Sequence, residues 1–392
     1  MKTFMQALTP RNPFRISRGP RVAAALVAGA LALTLAGCGS DDPLANGAPQ
    51  APLPEGNGSV ATSTLSGHFA GAGASTQENS MAAWIATFQD GNPDVTISYD
   101  PSGSGAGRTQ FLAGGVLWAG SDAALNEDEI QTSLGRCGPE GAIDLPVYIS
   151  AIAVAFNLDG IDTLNLNAEN IAKIFTGQIT NWNDPAIAAD NPGVDLPNLA
   201  ITPVHRSDSS GTTLNFVDYL YAKAPSIWTW TPAGTWPTEG GASAAGTTGV
   251  VNVVNQTAGA ITYADLGAVG ANLGVAAIQV GDTWQVPTAE GAAIAIEVSP
   301  SRPGRHEHDM SVDIDRLTEA DGAYPLVLVS YVVVCLHYEN EMEGNFIREF
   351  VTFLASDQAQ QLSAQVADSA PITPTLRDQV LESVNAITVG NN

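Results

Sequence analysis

Three short loops rich in glycine, serine and threonine stand directly ahead of segments with helical patterning. Their sequences are GAGAST at 71–76, SGSGAG at 102–107 and RSDSSGT at 206–212. A helix N-terminus offers unpaired N–H groups and the positive end of the helix dipole, and hydroxyl side chains add donors. Each loop alone is more simply explained as a capped helix start, and Ser75 with Glu78 has the spacing of a capping box. The three loops together predict an anion site.

Arg206 stands in the third loop of a chain that has few cations. Five of the 15 Lys and Arg residues precede Cys38, which leaves ten cations against 40 acidic residues and a net charge of −30 after that point. Such a surface repels nucleic acid and anionic membranes, so neither is expected as a partner. An anion site on this chain needs strong local donors, and the Arg206 guanidinium can bind two oxygens at once.

Short apolar runs alternate with helical patterns along the chain. The best strand candidates are residues 95–99, 151–156, 201–205, 260–263 and 326–336. Helical spacing recurs within residues 81–88 and 171–175. This alternation predicts an α/β fold with mostly parallel sheets, in which ligands bind at the carboxyl ends of strands near helix N-termini. The 392 residues suffice for two ordinary domains.

Residues 1–37 have the pattern of a signal peptide. A basic stretch through Arg21 precedes an apolar run at 22–37, which is short for a membrane span of about 20 residues. The run ends in LAGC at 35–38, typical of a bacterial lipobox, in which Cys38 is diacylated and becomes the N-terminus. Residues 39–64 are rich in Gly, Pro and Ala, which predicts a flexible tether behind that cysteine. We expect a lipid-anchored protein on the extracytoplasmic face of the cell membrane, held most stably by two acyl chains or more.

Cys137 and Cys335 are the two remaining cysteines. Outside the cytoplasm such a pair is more often bridged than free, so we expect a disulfide; two thiols alone make a poor metal site. The HEHD sequence at 306–309 offers metal ligands, but it follows Pro303 and Gly304 and no further ligand cluster is evident. A solvated loop is favoured there, and no metal or cofactor is predicted.

Seven motifs resemble the phosphate-binding component of bacterial phosphate-specific ABC importers, a periplasmic protein or lipoprotein. The similarity runs from about residue 65 to about residue 387. The motifs are GAGAS at 71–75, YDPSGSGAG at 99–107, AGSDAAL at 119–125, KIFTGQITNWNDPAI at 173–187, RSDSSGT at 206–212, GAITYAD at 259–265 and YPLVLVSYVVV at 324–334. The resemblance implies two α/β lobes joined by strand crossovers, a periplasmic-binding-protein-like fold with phosphate in the cleft between the lobes. It also implies membrane permease subunits as partners.

The resemblance implies phosphate ligands on both lobes. They are Ser75, Thr76, Ser104 and Asp122 on one side, and Arg206, Ser210, Gly211 and Thr212 on the other. Asp208 is implied as the residue that orients Arg206. Many relatives have Phe where this chain has Thr76; a main-chain N–H contact survives that change, and the threonine hydroxyl can add a donor.

Asp122 gives the implied site a means of distinguishing anions. Phosphate at neutral pH still carries a proton that a buried carboxylate can accept, whereas sulfate would place two acceptors face to face. A site built around a ligand's hydrogen can reject the analogue lacking it by about 10⁴-fold or more. The nearest alternative function is a receptor for sulfate, molybdate or phosphonate.

Two other classes of function are less well supported by the residues. A secreted phosphohydrolase would need an activated nucleophile, but Ser104 lacks the Gly-x-Ser-x-Gly elbow because positions 102 and 106 are Ser and Ala. A carbohydrate receptor could use Trp228, Trp230 and Trp236 for stacking, although packing between elements explains them more simply. No enzymatic activity is predicted.

The implied crossovers lie near residues 146–151 and 325–330. They give a discontinuous first lobe, residues 65–148 plus 329–392, and a continuous second lobe, residues 149–328. The sequence leaves open the affinity, the oligomeric state, the permease partner and any signalling role.

Overall fold

The computed structural model describes residues 65–390, which lie in one compact unit, Thr62–Asn392. The predicted signal peptide, Cys38 and the tether through residue 64 lie outside the described residues. Within residues 65–390, no helix is long and apolar enough to cross a membrane.

Strands and helices alternate through most of the described chain. The strands are β1 (Gly67–Gly73), β2 (Val95–Asp100), β3 (Trp118–Ser121), β4 (Ala142–Phe156), β5 (Thr163–Leu166), β6 (Thr202–Arg206), β7 (Ala242–Ala244), β8 (Ala260–Asp265), β9 (Gly274–Val280), β10 (Thr283–Gln285), β11 (Val327–Cys335), β12 (His337–Tyr338) and β13 (Thr388–Val389). The α-helices are α1 (Glu78–Gly91), α2 (Ser104–Leu112), α3 (Glu127–Cys137), α4 (Ala168–Phe175), α5 (Pro185–Asp190), α6 (Gly211–Lys223), α7 (Gly246–Gln256), α8 (Ala289–Glu297), α9 (Glu341–Leu354), α10 (Asp357–Ala367) and α11 (Pro374–Asn385). Two 3₁₀ turns cover Ser75–Gln77 and Leu266–Ala268.

Most of the strands form one mixed sheet in the order β2-β1-β3-β11-β4-β8-β6-β7. Strand β9 also pairs with β4, β5 and β10. The pairs among β2, β1 and β3 and among β8, β6 and β7 are parallel, whereas β11 and β4 run antiparallel to their neighbours in the middle. We call β1, β2, β3, β11 and the start of β4 the first half of the sheet, and the end of β4 with β5 to β10 the second half. The predicted α/β class is confirmed.

Strand β4 runs through both halves of the sheet. It pairs with β11 from Ala142 to Ala151 and with β8 from Ile152 onward, and all of its residues are buried. The predicted strand began at Ala151, so its start was wrong by nine residues. Asp144 and Pro146 interrupt the apolar pattern, but Asp144 is paired with Arg305 and Pro146 lies opposite a register shift at Ser330 and Tyr331. A bulge of this kind accommodates proline within a sheet.

Helix caps place several helices where the sequence changes from loop to helix. Asn126 and Glu129 form a capping box at α3, Ser356 caps α10, and Thr373 caps α11. An aromatic cluster of the first half, in which Phe346 stacks on Phe69 and contacts Trp118, joins α9 to the sheet. The aromatic contacts involve β1 and β3, two of the strands that lead into the loops described below.

Cys137 and Cys335 are joined by a disulfide, with Cα atoms 5.0 Å apart. Cys137 ends α3 and Cys335 ends β11, 198 positions later. The bond therefore joins two distant parts of the chain within the first half.

The tryptophans weighed as sugar-stacking residues contribute to packing. Trp228 is fully buried, and it contacts Trp230 and Trp236 edge to face. Trp236 stacks on His205, with ring centroids 4.9 Å apart, and on Tyr263. This arrangement favours the packing role.

The prediction of a solvated loop at 306–309 was wrong for Asp309. Its side chain is 3% exposed and forms an ion pair with Arg305, which also pairs with Asp144. Asp309 further accepts a hydrogen bond from the main-chain N–H of Asp144. The loop thus carries a buried carboxylate paired with the preceding Arg305, which its hydrophilic sequence does not reveal. Among residues 65–390 no group of three or more His, Cys, Asp or Glu side chains is close enough to hold a metal ion.

Candidate functional site

The three predicted loops converge at the carboxyl ends of parallel strands from both halves of the sheet. In the first half, β1 leads into the 3₁₀ turn Ser75–Gln77, β2 leads into α2, and β3 ends beside Asp122. In the second half, β6 leads into α6 and β7 into α7. Carboxyl ends of neighbouring parallel strands meet at one edge, so several helix N-termini point at the same place.

Asp122 is the buried acid at the centre of this cluster. Its Oδ1 accepts hydrogen bonds from Thr76 Oγ1 at 2.6 Å and from Ser330 Oγ at 2.7 Å, while its Oδ2 accepts one from Thr212 Oγ1 at 3.3 Å. Its main-chain N–H donates to Ser104 Oγ at 3.1 Å. Hydroxyls from three separate elements therefore hold the carboxylate, and Ser104 holds the main chain of the same residue.

Burial and hydrogen bonding act in opposite directions on the ionisation of Asp122. Burial, the largest influence, raises the pKa of its carboxyl group above the ordinary value. The hydroxyls of Thr76 and Ser330 and the charge of Arg206 lower that pKa without cancelling the effect of burial. The ionised form depends on these donors.

Arg206 is held by Asp208 through two parallel hydrogen bonds. Arg206 Nε donates to Asp208 Oδ1 at 2.7 Å and Nη2 donates to Oδ2 at 2.5 Å. Burial tends to raise the pKa of Asp208, but the hydrogen bonds and charge of Arg206 outweigh it and leave that pKa below its ordinary value. Arg206 Nη1 reaches Thr247 Oγ1 at 3.4 Å. Asp208 thus fixes the orientation of the guanidinium.

Ser75 does not form the predicted capping box with Glu78. Helix α1 begins at Glu78 without a side-chain cap, and Ser75 lies in the preceding 3₁₀ turn. Its hydroxyl is instead 2.9 Å from Thr247 Oγ1 and accepts the Thr247 main-chain N–H at 3.1 Å. The Ser75 hydroxyl thus pairs with Thr247 of α7 and not with Glu78, so the capping-box prediction was wrong.

The N-terminus of α6 packs directly against the first half. Ser210 caps this helix by accepting the Thr213 N–H at 3.2 Å. Asn215, one turn further, donates to the carbonyl oxygen of Asp122 at 2.7 Å. The main-chain N–H of Gly105 donates to the carbonyl of Ser209 at 3.1 Å. The loops of the two halves are therefore in contact across the site.

The structure brings together every predicted ligand residue and places beside them two hydroxyl residues that sequence reasoning missed. Ser330 is the polar residue within the apolar run 326–336, and that interruption is the signal that could have identified it. Thr247 belongs to the sequence AAGTTG at 244–249, a fourth Gly/Thr-rich segment ahead of a helix. Both hydroxyls face residues of the site from distant elements.

The arrangement is suited to binding an oxyanion. Helix N-termini, hydroxyls and a fixed guanidinium supply donors, and Asp122 supplies one acceptor for a proton on the ligand. His205, the nearest candidate for a catalytic base, stacks on Trp236, and its Nδ1 lies 3.0 Å from the carbonyl oxygen of Arg206. The geometry thus favours binding over nucleophilic chemistry.

Comparison with known proteins gives matches over most of the chain. A sequence model of the PBP superfamily domain matches residues 58–358. Phosphate-binding protein PstS 2 of Mycobacterium tuberculosis is 34% identical over 321 residues, which cover 80% of this chain and 86% of that protein. Phosphate-binding protein PstS 3 of the same organism is 33% identical over 378 residues, which cover 93% of this chain and 98% of that protein.

Solved structures have the same fold at lower sequence identity. The phosphate-binding protein from Stenotrophomonas maltophilia aligns with a TM-score of 0.63 and 19% identity, over 81% of this chain and 94% of that one. A high-affinity periplasmic phosphate-binding protein called PfluDING, solved with phosphate, aligns with a TM-score of 0.65 and 20% identity, over 83% of this chain and all of that one. The predicted two-lobed, periplasmic-binding-protein-like fold is confirmed.

Proposed function

Because this chain belongs to the PBP superfamily and to its PstS family of phosphate-binding proteins, we propose that it binds inorganic phosphate outside the cytoplasm and delivers it to the permease of an ABC-type importer. The proposal is supported by relatives that are named phosphate-binding proteins and by a buried cluster of oxyanion donors. Neither a metal nor an organic cofactor is needed for this role.

We assign the phosphate contacts to residues that lie around Asp122 and Arg206. They are Ser75, Thr76, Ser104, Asp122, Arg206, Ser210, Gly211 and Thr212, with Asp208 as the support of Arg206. All of the side chains in this set except Asp208 are buried, so a bound anion would be removed from water and held by protein donors alone. Thr247 joins this set through its contacts with Ser75 and Arg206.

The observation that carries the proposal is a buried carboxylate inside a site built of anion donors. Asp122 accepts hydrogen bonds from three hydroxyls, which is the behaviour of an ionised acid. A fully deprotonated anion would face repulsion there, whereas phosphate can donate its proton. This distinguishes phosphate from sulfate among anions of similar shape.

Calorimetric titration of the purified protein with phosphate, sulfate and molybdate tests the proposal. Phosphate should bind, and sulfate should bind more weakly by about four orders of magnitude. Comparable binding of phosphate and sulfate would instead favour the alternative of a broader oxyanion receptor. A phosphatase assay on the same sample with a phosphate monoester should give no turnover, because His205 stacks on Trp236 and the Asp122 carboxylate is held by hydroxyl donors.

Binding by closure of two lobes is part of the proposal. The lobes would be residues 65–148 plus 329–392 and residues 149–328, joined at β4 and β11. The proposal is supported by the antiparallel pairing of these strands in the middle of the sheet and by ligand candidates on either side of them. Hinge motion at two such crossovers would let phosphate enter and leave.

Attachment to the membrane is proposed from the sequence of the first 64 residues. A signal peptide at 1–37, lipidation of Cys38 and a tether through residue 64 would keep the binding unit close to the permease. Replacing Cys38 by Ala should release the protein from the membrane fraction without changing its affinity for phosphate. Retention of the variant on the membrane would contradict the lipid anchor.

A further inference from the structure

The two oxygens of Asp122 have different surroundings. Oδ1 accepts two short hydrogen bonds, from Thr76 and Ser330, at 2.6 and 2.7 Å. Oδ2 accepts only the longer bond of 3.3 Å from Thr212. A carboxylate oxygen has about two acceptor positions, so Oδ1 is fully used by the protein and Oδ2 retains capacity for a further donor.

The direction of the Ser330 hydrogen bond is set by Gln77. The side-chain nitrogen of Gln77 lies 2.7 Å from Ser330 Oγ and 3.1 Å from the carbonyl oxygen of Tyr331. A carbonyl oxygen can only accept, so the nitrogen and not the oxygen of the amide must occupy this position. Ser330 therefore accepts from Gln77, and its own proton is free for Asp122. Gln77 Oε1 is left buried without a partner among the described residues, so this orientation is kept although one acceptor is unsatisfied.

We propose that Ser330, oriented by Gln77, is a specificity-determining positioning residue: it keeps Asp122 ionised and leaves Oδ2 as the atom that accepts the proton of the ligand. This inference rests on the proposed function, because the ligand's proton is that of phosphate. Ser330 acts through Asp122 and needs no contact with the ligand. Its place on β11, at the register shift opposite Pro146, also ties the acidic group to the strand that pairs with β4, which runs through both halves.

The other charged and titratable groups around Asp122 influence whether its carboxyl group is ionised. Arg206, on β6, is the cation that favours the ionised form. Asp265, on β8, is a buried acid whose pKa is itself raised, chiefly by burial and then by the charge of Asp122. Tyr99 and Tyr148, on β2 and β4, have pKa values raised well above the ordinary value and stay neutral. The hydroxyl donors and Arg206 thus counter the effect of burial on the pKa of Asp122. Loss of the hydrogen bond from Thr76 or from Ser330 is therefore expected to raise that pKa.

Replacing Ser330 by Ala removes one donor to Oδ1, while the Gln77 amide keeps the carbonyl oxygen of Tyr331 as an acceptor. Asp122 should then take up a proton at higher pH, by about one pH unit. A protonated Asp122 cannot accept the phosphate proton and can donate to sulfate, so the preference for phosphate over sulfate should fall about tenfold at a pH where Asp122 is protonated in the variant and still ionised in the wild-type protein. Ser330→Thr keeps the hydroxyl and should restore most of the preference.

Two readouts on the purified protein test this inference. The first is the carboxyl ¹³C chemical shift of Asp122 in the absence of ligand, followed from about pH 4 to about pH 9 and assigned with Asp122→Asn. The second is competition between phosphate and sulfate over the same pH range. Ser363→Ala is the matched control, because Ser363 is equally buried but bonds to Ser80 and Ser369, away from Asp122. It should follow the wild-type protein in both readouts.

The outcomes separate this inference from the proposed function. Ser330→Ala curves that superimpose on those of the wild-type protein in both readouts would overturn the role of Ser330, even if phosphate binds. A wild-type protein that fails to bind phosphate, with a displaced Asp122 titration in the variant, would overturn the function and leave the control of Asp122 ionisation standing. If Ser330→Ala does not fold, Gln77→Met removes the donor that orients Ser330 and should displace the Asp122 titration in the same direction; an unchanged titration would overturn the proposal.

Discussion

Gly211 lies against Asp122 so closely that a Cβ atom on Gly211 would be 2.6 Å from the Cβ of Asp122. The same atom would be 2.7 Å from Ser104 Oγ. Gly211 begins α6 in the second half of the sheet, whereas the other two residues belong to the first half. The absence of a side chain at this position is therefore what lets the two halves meet around the site.

Replacing Gly211 by Ala should weaken phosphate binding by about tenfold to a hundredfold, because the added methyl group keeps the halves apart. Phosphate should reduce the radius of gyration of the wild-type protein in small-angle scattering, and it should do so less in the variant. Gly135→Ala is the control, since a Cβ there meets nothing within 4 Å. Equal radii with and without phosphate in the wild-type protein would contradict closure.

Replacing Arg206 by Ala should weaken every oxyanion by about 3 to 5 kcal/mol, since it removes the fixed guanidinium and leaves Asp208 without its partner. Calorimetric titration with phosphate, arsenate and sulfate measures the effect. Arg377→Ala is a suitable control, because Arg377 forms its ion pair with Asp357 on the surface. A loss confined to one anion would show that Arg206 contributes to selectivity and not only to affinity.

Replacing Asp122 by Asn should increase the affinity for sulfate relative to phosphate. The amide can donate as well as accept, and it removes a negative charge beside the ligand. Arsenate carries protons like those of phosphate and should remain a competitor in both proteins. The measurement is competition of the three anions at neutral pH, and an unchanged phosphate-to-sulfate ratio would assign the discrimination to the shape and donors of the loops.

Replacing Cys137 and Cys335 together by Ala should lower the free energy of unfolding by about 4 to 5 kcal/mol, the value expected from the loop entropy of a long cross-link. Urea unfolding of the oxidised protein and of the double variant measures the difference. Reducing the wild-type protein should shift its unfolding midpoint toward that of the variant. If the reductant shifts the unfolding midpoint of the double variant as much as that of the wild-type protein, the shift does not come from this disulfide.

Replacing Asp265 by Asn should stabilise the protein at mildly alkaline pH. Burial and then the charge of Asp122 raise the pKa of Asp265 from 3.8 to about 8, although Tyr148, which donates to both carboxyl oxygens at 3.1 Å, lowers it. An acid whose pKa is raised on folding favours the folded state below its unfolded pKa, and this contribution is lost as the pH rises through about 8. The variant stays neutral and lacks this loss.

Urea unfolding at about pH 4 and about pH 8 checks this expectation. The difference in unfolding free energy between the Asn variant and the wild-type protein should grow in favour of the variant as the pH rises. Asp309→Asn, at a buried acid that is ion-paired with Arg305, serves as the contrasting variant and should destabilise instead. A difference for Asp265 that is independent of pH would mean that its proton is not retained on folding.

Local signals in the sequence identified most of the site. Loops such as RSDSSGT carry their own information, because glycine, hydroxyl residues and a helix start are adjacent in the chain. Apolar runs and helical spacing likewise predicted the α/β class and five of the strands. The start of β4 was missed because Asp144 and Pro146 look unsuitable for a strand until Arg305 and the bulge in β11 are considered.

What the sequence determined by itself is the chemistry of the anion loops and the alternation of strands and helices, since these depend on neighbouring residues. Only the tertiary structure decided which partners complete the site. Ser330 bonds to Asp122 across 208 positions, and Ser75 bonds to Thr247 across 172. The physical reason is that the order of strands in the sheet brings these residues together. A contact between residues that are distant in the chain produces no repeating pattern in the sequence that could reveal it.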